Sequence, residues 1–132
     1  MAKFMVMQHY SGPAGMKPIT EWSPEDIEAH IEFQQALNEE LTGTGELVDA
    51  QGLAGPEVAK FVAYEGVGAP VVTDGPFPES KELLAGYRMV DVESEARAIE
   101  IAAKVSAAPG PAGAPIGQTI EVRQVMGAPA TD

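Results

Sequence analysis

Apolar and polar residues alternate from Lys3 to His9, which predicts a strand with Phe4, Val6 and Gln8 on one face and Met5, Met7 and His9 on the other. Gly12, Pro13, Gly15 and Pro18 break the pattern, so Tyr10 to Glu21 reads as loop. Ser23-Pro24-Glu25-Asp26 then opens a helix, with Ser as N-cap, Pro in the first helical position and acids in the first turn. This helix is expected to reach Leu41 or Thr42 and stop at Gly43 or Gly45. Ile27, Ile31, Leu37 and Leu41 form its apolar stripe, and His30 and Gln34 fall within that stripe at 3.6 residues per turn.

A weaker alternation predicts a strand over Glu46 to Leu53, ended by Gly52-Leu53-Ala54-Gly55-Pro56. Glu57 to Tyr64 and Pro70 to Thr73 read as a hairpin around Gly66 and Gly68. Leu84 to Val92 is the next strand. Glu93 to about Ala107 is a second helix, with Ile99, Ala102, Ala103 and Val105 as its apolar positions. The Pro, Gly and Ala of Ala108 to Gly117 predict a flexible loop, Thr119 to Met126 a last strand, and residues 127–132 a flexible tail. With the hairpin set aside as an insertion, the order β-α-β-β-α-β predicts an α+β fold: a ferredoxin-like split βαβ sandwich with both helices on one face of an antiparallel sheet. The other face would be bare and partly apolar, so a second copy is expected to cover it in a sheet-to-sheet homodimer.

Composition narrows the class. The chain has 132 residues and 13.8 kDa, and its 45% apolar content suits a single domain spanning 1–126. The 20 acidic and 8 basic residues give a net charge of -12, which argues against nucleic acid and anionic membranes as partners. No apolar run approaches the ~20 residues that span a bilayer. The apolar stretch near the N-terminus is too short for a signal peptide, so the expected location is cytoplasmic. With no cysteine there is no disulfide and no thiolate chemistry. Two separated histidines do not make a metal site, and no cofactor is implied.

The most specific wording is Thr73-Asp74-Gly75-Pro76-Phe77, a tight turn ending one apolar strand, followed by Glu79-Ser80-Lys81-Glu82 and Gly86-Tyr87. At average residue usage, a given four-residue word arises by accident in on the order of one chain in a thousand of this length. Together with Lys3-Phe4-Met5, Trp22-Ser23-Pro24-Glu25, Gln51-Gly52-Leu53 and Ile120-Glu121-Val122-Arg123, the wording resembles the DGPF-domain proteins, a branch of the YCII-related superfamily. The resemblance runs from about Lys3 to Met126. It implies a ferredoxin-like fold dimerised in the dimeric α/β-barrel manner, with a cleft near the turn. Some members of that family accompany extracytoplasmic-function sigma factors, and a distant branch resembles small isomerases and dehalogenating enzymes of aromatic degradation. Two departures from its pattern stand out: Val122-Arg123-Gln124-Val125 replaces a common Val-Arg-Pro-Val ending, and the loop Pro109 to Gln118 is longer.

Asp74 is the first candidate catalytic residue. As a carboxylate at a strand end it reads equally as a general base and as the cap of its own turn. Lys81 and Glu82 are candidates to complete a charge cluster that tunes a carboxylate or holds an anion. Against this stands a surface ion pair worth ~0–1 kcal/mol. Glu121 and Arg123 share one face of the last strand, where Arg123 can clamp an anion bidentately or pair with Glu121 across a subunit interface, and Arg88 can join either arrangement. His9, at a strand end, and His30, on the helix stripe, are the only groups with ordinary pKa values near neutrality. Tyr87, with Tyr64 and Phe77, offers a flat lining for a small molecule or ordinary core packing. Two functions therefore compete: a cofactor-independent acid–base enzyme acting on a small polar or aromatic molecule, and a non-catalytic dimeric module that binds a ligand or protein in a regulatory role. A purely structural dimerisation domain is the third.

Overall fold

The computed structural model describes residues 1–10, 18–75 and 83–127. Phe77, Lys81, Glu82 and the tail beyond Gly127 lie outside the described residues. The described residues form six strands, β1 (Ala2–His9), β2 (Leu47–Gly52), β3 (Lys60–Ala63), β4 (Val71–Asp74), β5 (Leu84–Val92) and β6 (Glu121–Gln124), and two α-helices, α1 (Pro24–Gly43) and α2 (Glu95–Ser106). The main sheet has the order β2-β5-β1-β6, and every pairing within it is antiparallel. Four antiparallel strands with two helices make an α+β fold compatible with the ferredoxin-like plan. β3 and β4 form their own two-stranded sheet.

The helices start where the sequence places a hydroxyl. Ser23 Oγ accepts from Asp26 N at 3.2 Å, and Pro24 occupies the first helical position, where a missing N–H costs nothing. Ser94 does the same for α2, accepting from Arg97 N at 3.2 Å, so this helix begins at Glu95 rather than at Glu93. α1 ends at Gly43, after which Gly45 turns the chain into β2 at φ +79°, a conformation that favours glycine.

Phe4 and Val6 of β1 and Val90 and Val92 of β5 meet Leu37 and Leu41 of α1 and Ala98, Ile101, Ala102 and Val105 of α2. Full burial of a side chain such as Leu41 or Ile101 contributes roughly 1.5–3 kcal/mol. Part of each expected stripe is buried, Leu37 and Leu41 on α1 and Ala102 and Val105 on α2, but other members of it face out. Ile31 is 47% exposed and Ile99 55% exposed. On α2 the buried set 98, 101, 102 and 105 keeps the i, i+3, i+4, i+7 spacing but starts on Ala98, while Ala103 is exposed. On α1 the sheet side carries a polar row, described below.

The segment after α2 is not the loose loop its composition suggests. Pro109 and Pro115 pair as an isolated bridge, Ala108 and Ile116 are buried, and Ile116 N donates to Ala108 O at 2.8 Å. His30 Nδ1 bonds Pro109 O at 3.0 Å, and Ala112 N donates to Asp26 Oδ2 at 3.2 Å, which ties this segment to the start of α1. At the opposite end of the core, Arg97 of α2 grips Glu46 with two bonds, Nε to Oε2 at 2.9 Å and Nη2 to Oε1 at 2.8 Å. That bidentate bond, more than any other influence, holds the Glu46 carboxyl down to about 2 and raises the Arg97 guanidinium.

Candidate functional site

The alternation of β1 sorts the candidate residues onto two sides of the sheet. Phe4 and Val6 point at the helices, so Met5 and Met7 stand on the side that neither helix covers. Register then assigns their neighbours: Met5 lies opposite Met89 and Arg123, and Met7 opposite Tyr87 and Glu121. Asp49 and Gln51 of β2 lie opposite Met89 and Tyr87. The uncovered face is thus a patch of three methionines, Met5, Met7 and Met89, rimmed by ionisable groups.

His9 and Glu121 form the tightest polar pair on this rim. His9 Nε2 lies 2.9 Å from Glu121 Oε1, and the carboxylate also draws Arg123, whose Nε is 3.7 Å from Oε2. A carboxylate only accepts, so Nε2 carries the proton and Nδ1 carries the lone pair in the neutral ring. Nδ1 is buried and has no partner among the described residues. Across the patch, Tyr87 Oη donates to Asp49 Oδ2 at 3.0 Å, while Asp49 Oδ1 accepts from Ala50 N and Gln51 Nε2. The hydrogen bond to Asp49 raises the Tyr87 pKa, because phenolate has no proton to give that carboxylate.

Arg88 does not join Glu121 and Arg123. It follows the parity of Val90 and Val92 and lies on the helix side, 5% exposed. There Nε donates to Asn38 Oδ1 at 2.7 Å, and Nη2 donates to Gln34 Oε1 at 2.6 Å and Gln34 O at 3.2 Å. Gln34 Nε2 in turn meets His30 Nε2 at 3.3 Å, and the His30 ring lies edge-on to Trp22 with centroids 5.4 Å apart. His30, Gln34 and Asn38 recur every fourth residue, a polar row down the inner side of α1. The sequence already places His30 and Gln34 on the core-facing stripe. Asn38, one turn further on, was the missed member. Asp49 was also missed, because nothing local marks a strand aspartate as a tyrosine partner.

Asp74 ends β4 on the separate hairpin, opposite Lys60, and its carboxylate pairs with the Lys60 ammonium. Both side chains are mostly exposed, at 79% and 58%, so this pair is worth ~0–1 kcal/mol. Tyr64 follows β3 on the same hairpin and is 66% exposed. An open hollow lined by Pro24, Ile27, Glu28, Ile31, Glu32 and Gln35 lies on the outer side of α1 and contains none of the candidate residues. Among the described residues, no group of three or more His, Asp or Glu is placed to hold a metal ion, and no helix is long and apolar enough to cross a membrane.

The model of the YCII-related domain matches residues 3–126. The chain belongs to the YCII-related family. The match takes in both sides of the sheet, the inserted hairpin and the tucked segment after α2. The YCII-related chain is also similar to an uncharacterized protein of Rhizobium meliloti (strain 1021), with 31% identity over 85 residues, covering 64% of this chain and 68% of that protein.

Proposed function

We propose that this protein belongs to the DGPF branch of the family and acts as a cofactor-independent acid–base enzyme on a small molecule. The single observation that supports this reading is the His9–Glu121 pair, with Nε2 committed to the carboxylate and Nδ1 buried and unpartnered. A carboxylate that fixes the tautomer and orientation of an imidazole leaves the other nitrogen free to take a proton, the logic of a positioned general base. Arg123, on the same face, is the group to hold an anionic part of the substrate, and Tyr87 lines the patch with its ring. A second copy laid over Met5, Met7 and Met89 would turn the uncovered face into a cleft and exclude water from it. Asp74, with Lys81 and Glu82, is the second candidate centre.

One observation favours the alternative of a non-catalytic ligand- or protein-binding module. Asp74, the residue of the most specific motif, is engaged in an exposed ion pair with Lys60. The two readings separate in one experiment. Small phenolic and oxo acids are incubated with the protein in D2O, and exchange of their acidic carbon-bound protons is followed by NMR. The enzyme reading expects a substrate whose exchange is accelerated, a loss of about 100-fold or more in His9→Gln, and little change in Asp74→Asn. Exchange that is unaltered in His9→Gln removes the base assignment. Exchange lost only in Asp74→Asn moves it to the hairpin.

A further inference from the structure

Arg88 is a buried cation held by neutral groups alone. Its acceptors are the side-chain oxygens of Asn38 and Gln34 and the Gln34 carbonyl, and no carboxylate lies within ion-pair distance among the described residues. Nη1 has no acceptor among those residues either. Burial depresses the Arg88 pKa, yet a guanidinium stays charged at neutrality. A desolvated charge without a counter-charge is among the costliest features a small core can carry. Joining α1 to the sheet does not require it, since an apolar residue of similar length would fill the space between Val6, Ala50 and α1.

The hydrogen bonding around Arg88 is one-sided. The hydrogen bonds run one way, from Arg88 to Gln34, from Gln34 Nε2 to His30 Nε2, and from His30 Nδ1 to Pro109 O. This direction leaves α1 offering acceptors to Nε and Nη2 and leaves Nη1 for something else. Gln8 continues the helix-side parity of Phe4 and Val6, is half-buried, and has no side-chain bond among the described residues. It lies in register with Gly86, which adds no side chain to that side. A Cβ at Gly86 would come within 2.9 Å of Gln51 O, so the position is closed to larger residues by the neighbouring strand.

We infer that Arg88 and Gln8 bind the carboxylate of a small monoanionic molecule on the helix side of the sheet, with Gln34, His30 and Trp22 beside it. One guanidinium balances one negative charge, whereas the net charge of -12 opposes entry of a multiply charged phosphate. The site lies on the opposite side of the sheet from the His9–Glu121 pair and stands independently of it.

The test follows the Arg88 Nε–H resonance in protein labelled with 15N-arginine. It is titrated with sodium acetate and sodium benzoate, and with sodium phosphate and sodium chloride at matched ionic strength. The expected result is a saturable shift with at least one carboxylate, a matching rise in Tm, and neither effect with phosphate or chloride. Arg88→Met abolishes both effects and, without ligand, melts no lower than the parent protein, while His9→Gln leaves them unchanged. Saturation by phosphate alone overturns the carboxylate assignment. The absence of saturation with every anion overturns the site, as does a saturable Tm rise that survives in Arg88→Met. If Arg88→Met does not fold, the titration of the unsubstituted protein decides alone.

Discussion

His9 and Glu121 stand 112 residues apart in sequence and meet at 2.9 Å across the β1–β6 ladder. The pair joins the last residue of β1 to the first residue of β6, so it forms only once the sheet is assembled. Glu121→Gln retains the fold and costs at most about 1 kcal/mol, since the Glu121 side chain is 38% exposed. Its sharper consequence concerns the tautomer. 15N NMR of the His9 ring in neutral solution is expected to show Nε2–H in the parent protein and a mixture in Glu121→Gln. Identical spectra would remove the carboxylate's orienting role.

The Glu46–Arg97 bond makes stability fall in acid. With an ordinary carboxyl value of 4.5 and a folded value of about 2, Glu46 binds its proton more readily in the unfolded chain. Its contribution is therefore complete above pH 4.5 and is lost as the pH falls toward 2. Glu46→Gln should cost about 1–2 kcal/mol at neutral pH, and the deficit should shrink across that acid window. Urea unfolding of both proteins between neutral and strongly acid pH checks the sign, and a constant difference would exclude the pair as its source.

Asp49 raises the Tyr87 pKa through the bond to Oη, so the phenol ionises less readily. Asp49→Asn is expected to bring that titration down toward an ordinary tyrosine, as read by ultraviolet absorbance in alkaline solution with Tyr87→Phe as the reference. An unchanged curve would mean that the bond is absent in solution.

The buried faces of the helices can be tested by matched truncations. Ile101→Ala removes a fully buried side chain and should cost about 2–5 kcal/mol. Ile99→Ala, two residues earlier and 55% exposed, should stay within about 0.5 kcal/mol. The same holds for Leu41→Ala against Ile31→Ala on α1. Equal losses within either pair would place the helix in the other register.

A sheet-to-sheet homodimer places Met89 against the partner. Sedimentation equilibrium at micromolar concentration is expected to return twice the 13.8 kDa chain mass, and Met89→Glu to return one chain with its circular dichroism retained. A monomeric parent protein would leave the methionine face without its proposed cover.

Much of the fold was legible because short-range chemistry specifies it. The Ser23 cap, the Leu84–Val92 strand and the glycine-marked hairpin each follow from a few neighbouring residues. The helix faces were legible only in part: Leu37, Leu41, His30 and Gln34 lie on the inner side of α1 as the period places them, whereas Ile31 and Ile99 look like core residues and face out. The site was less legible still. Glu121 and Arg123 were placed on one face by strand alternation alone, but their partner His9 depended on the pairing of the first and last strands. Arg88, offered as able to join Glu121 and Arg123, lies on the other side of the sheet, since parity along β5 becomes meaningful only when a buried residue such as Val90 anchors it. The tucked segment at Ala108 to Gly117 was hidden by composition, which does not reveal backbone bonds.

The hairpin of β3 and β4 is a separate sheet, and β2 meets β5 before it through the Gly52–Gly86 pairing and the 2.8 Å bond from Leu53 N to Ala85 O. Among the described residues between Leu53 and Gly75, none belongs to a strand of the main sheet, and β3 and β4 pair only with each other. The hairpin can be rewritten without disturbing the order of the main sheet, so Asp74 and Gly75 sit where that sheet constrains them least. Whatever keeps Asp74 and Gly75 in place acts outside the main sheet.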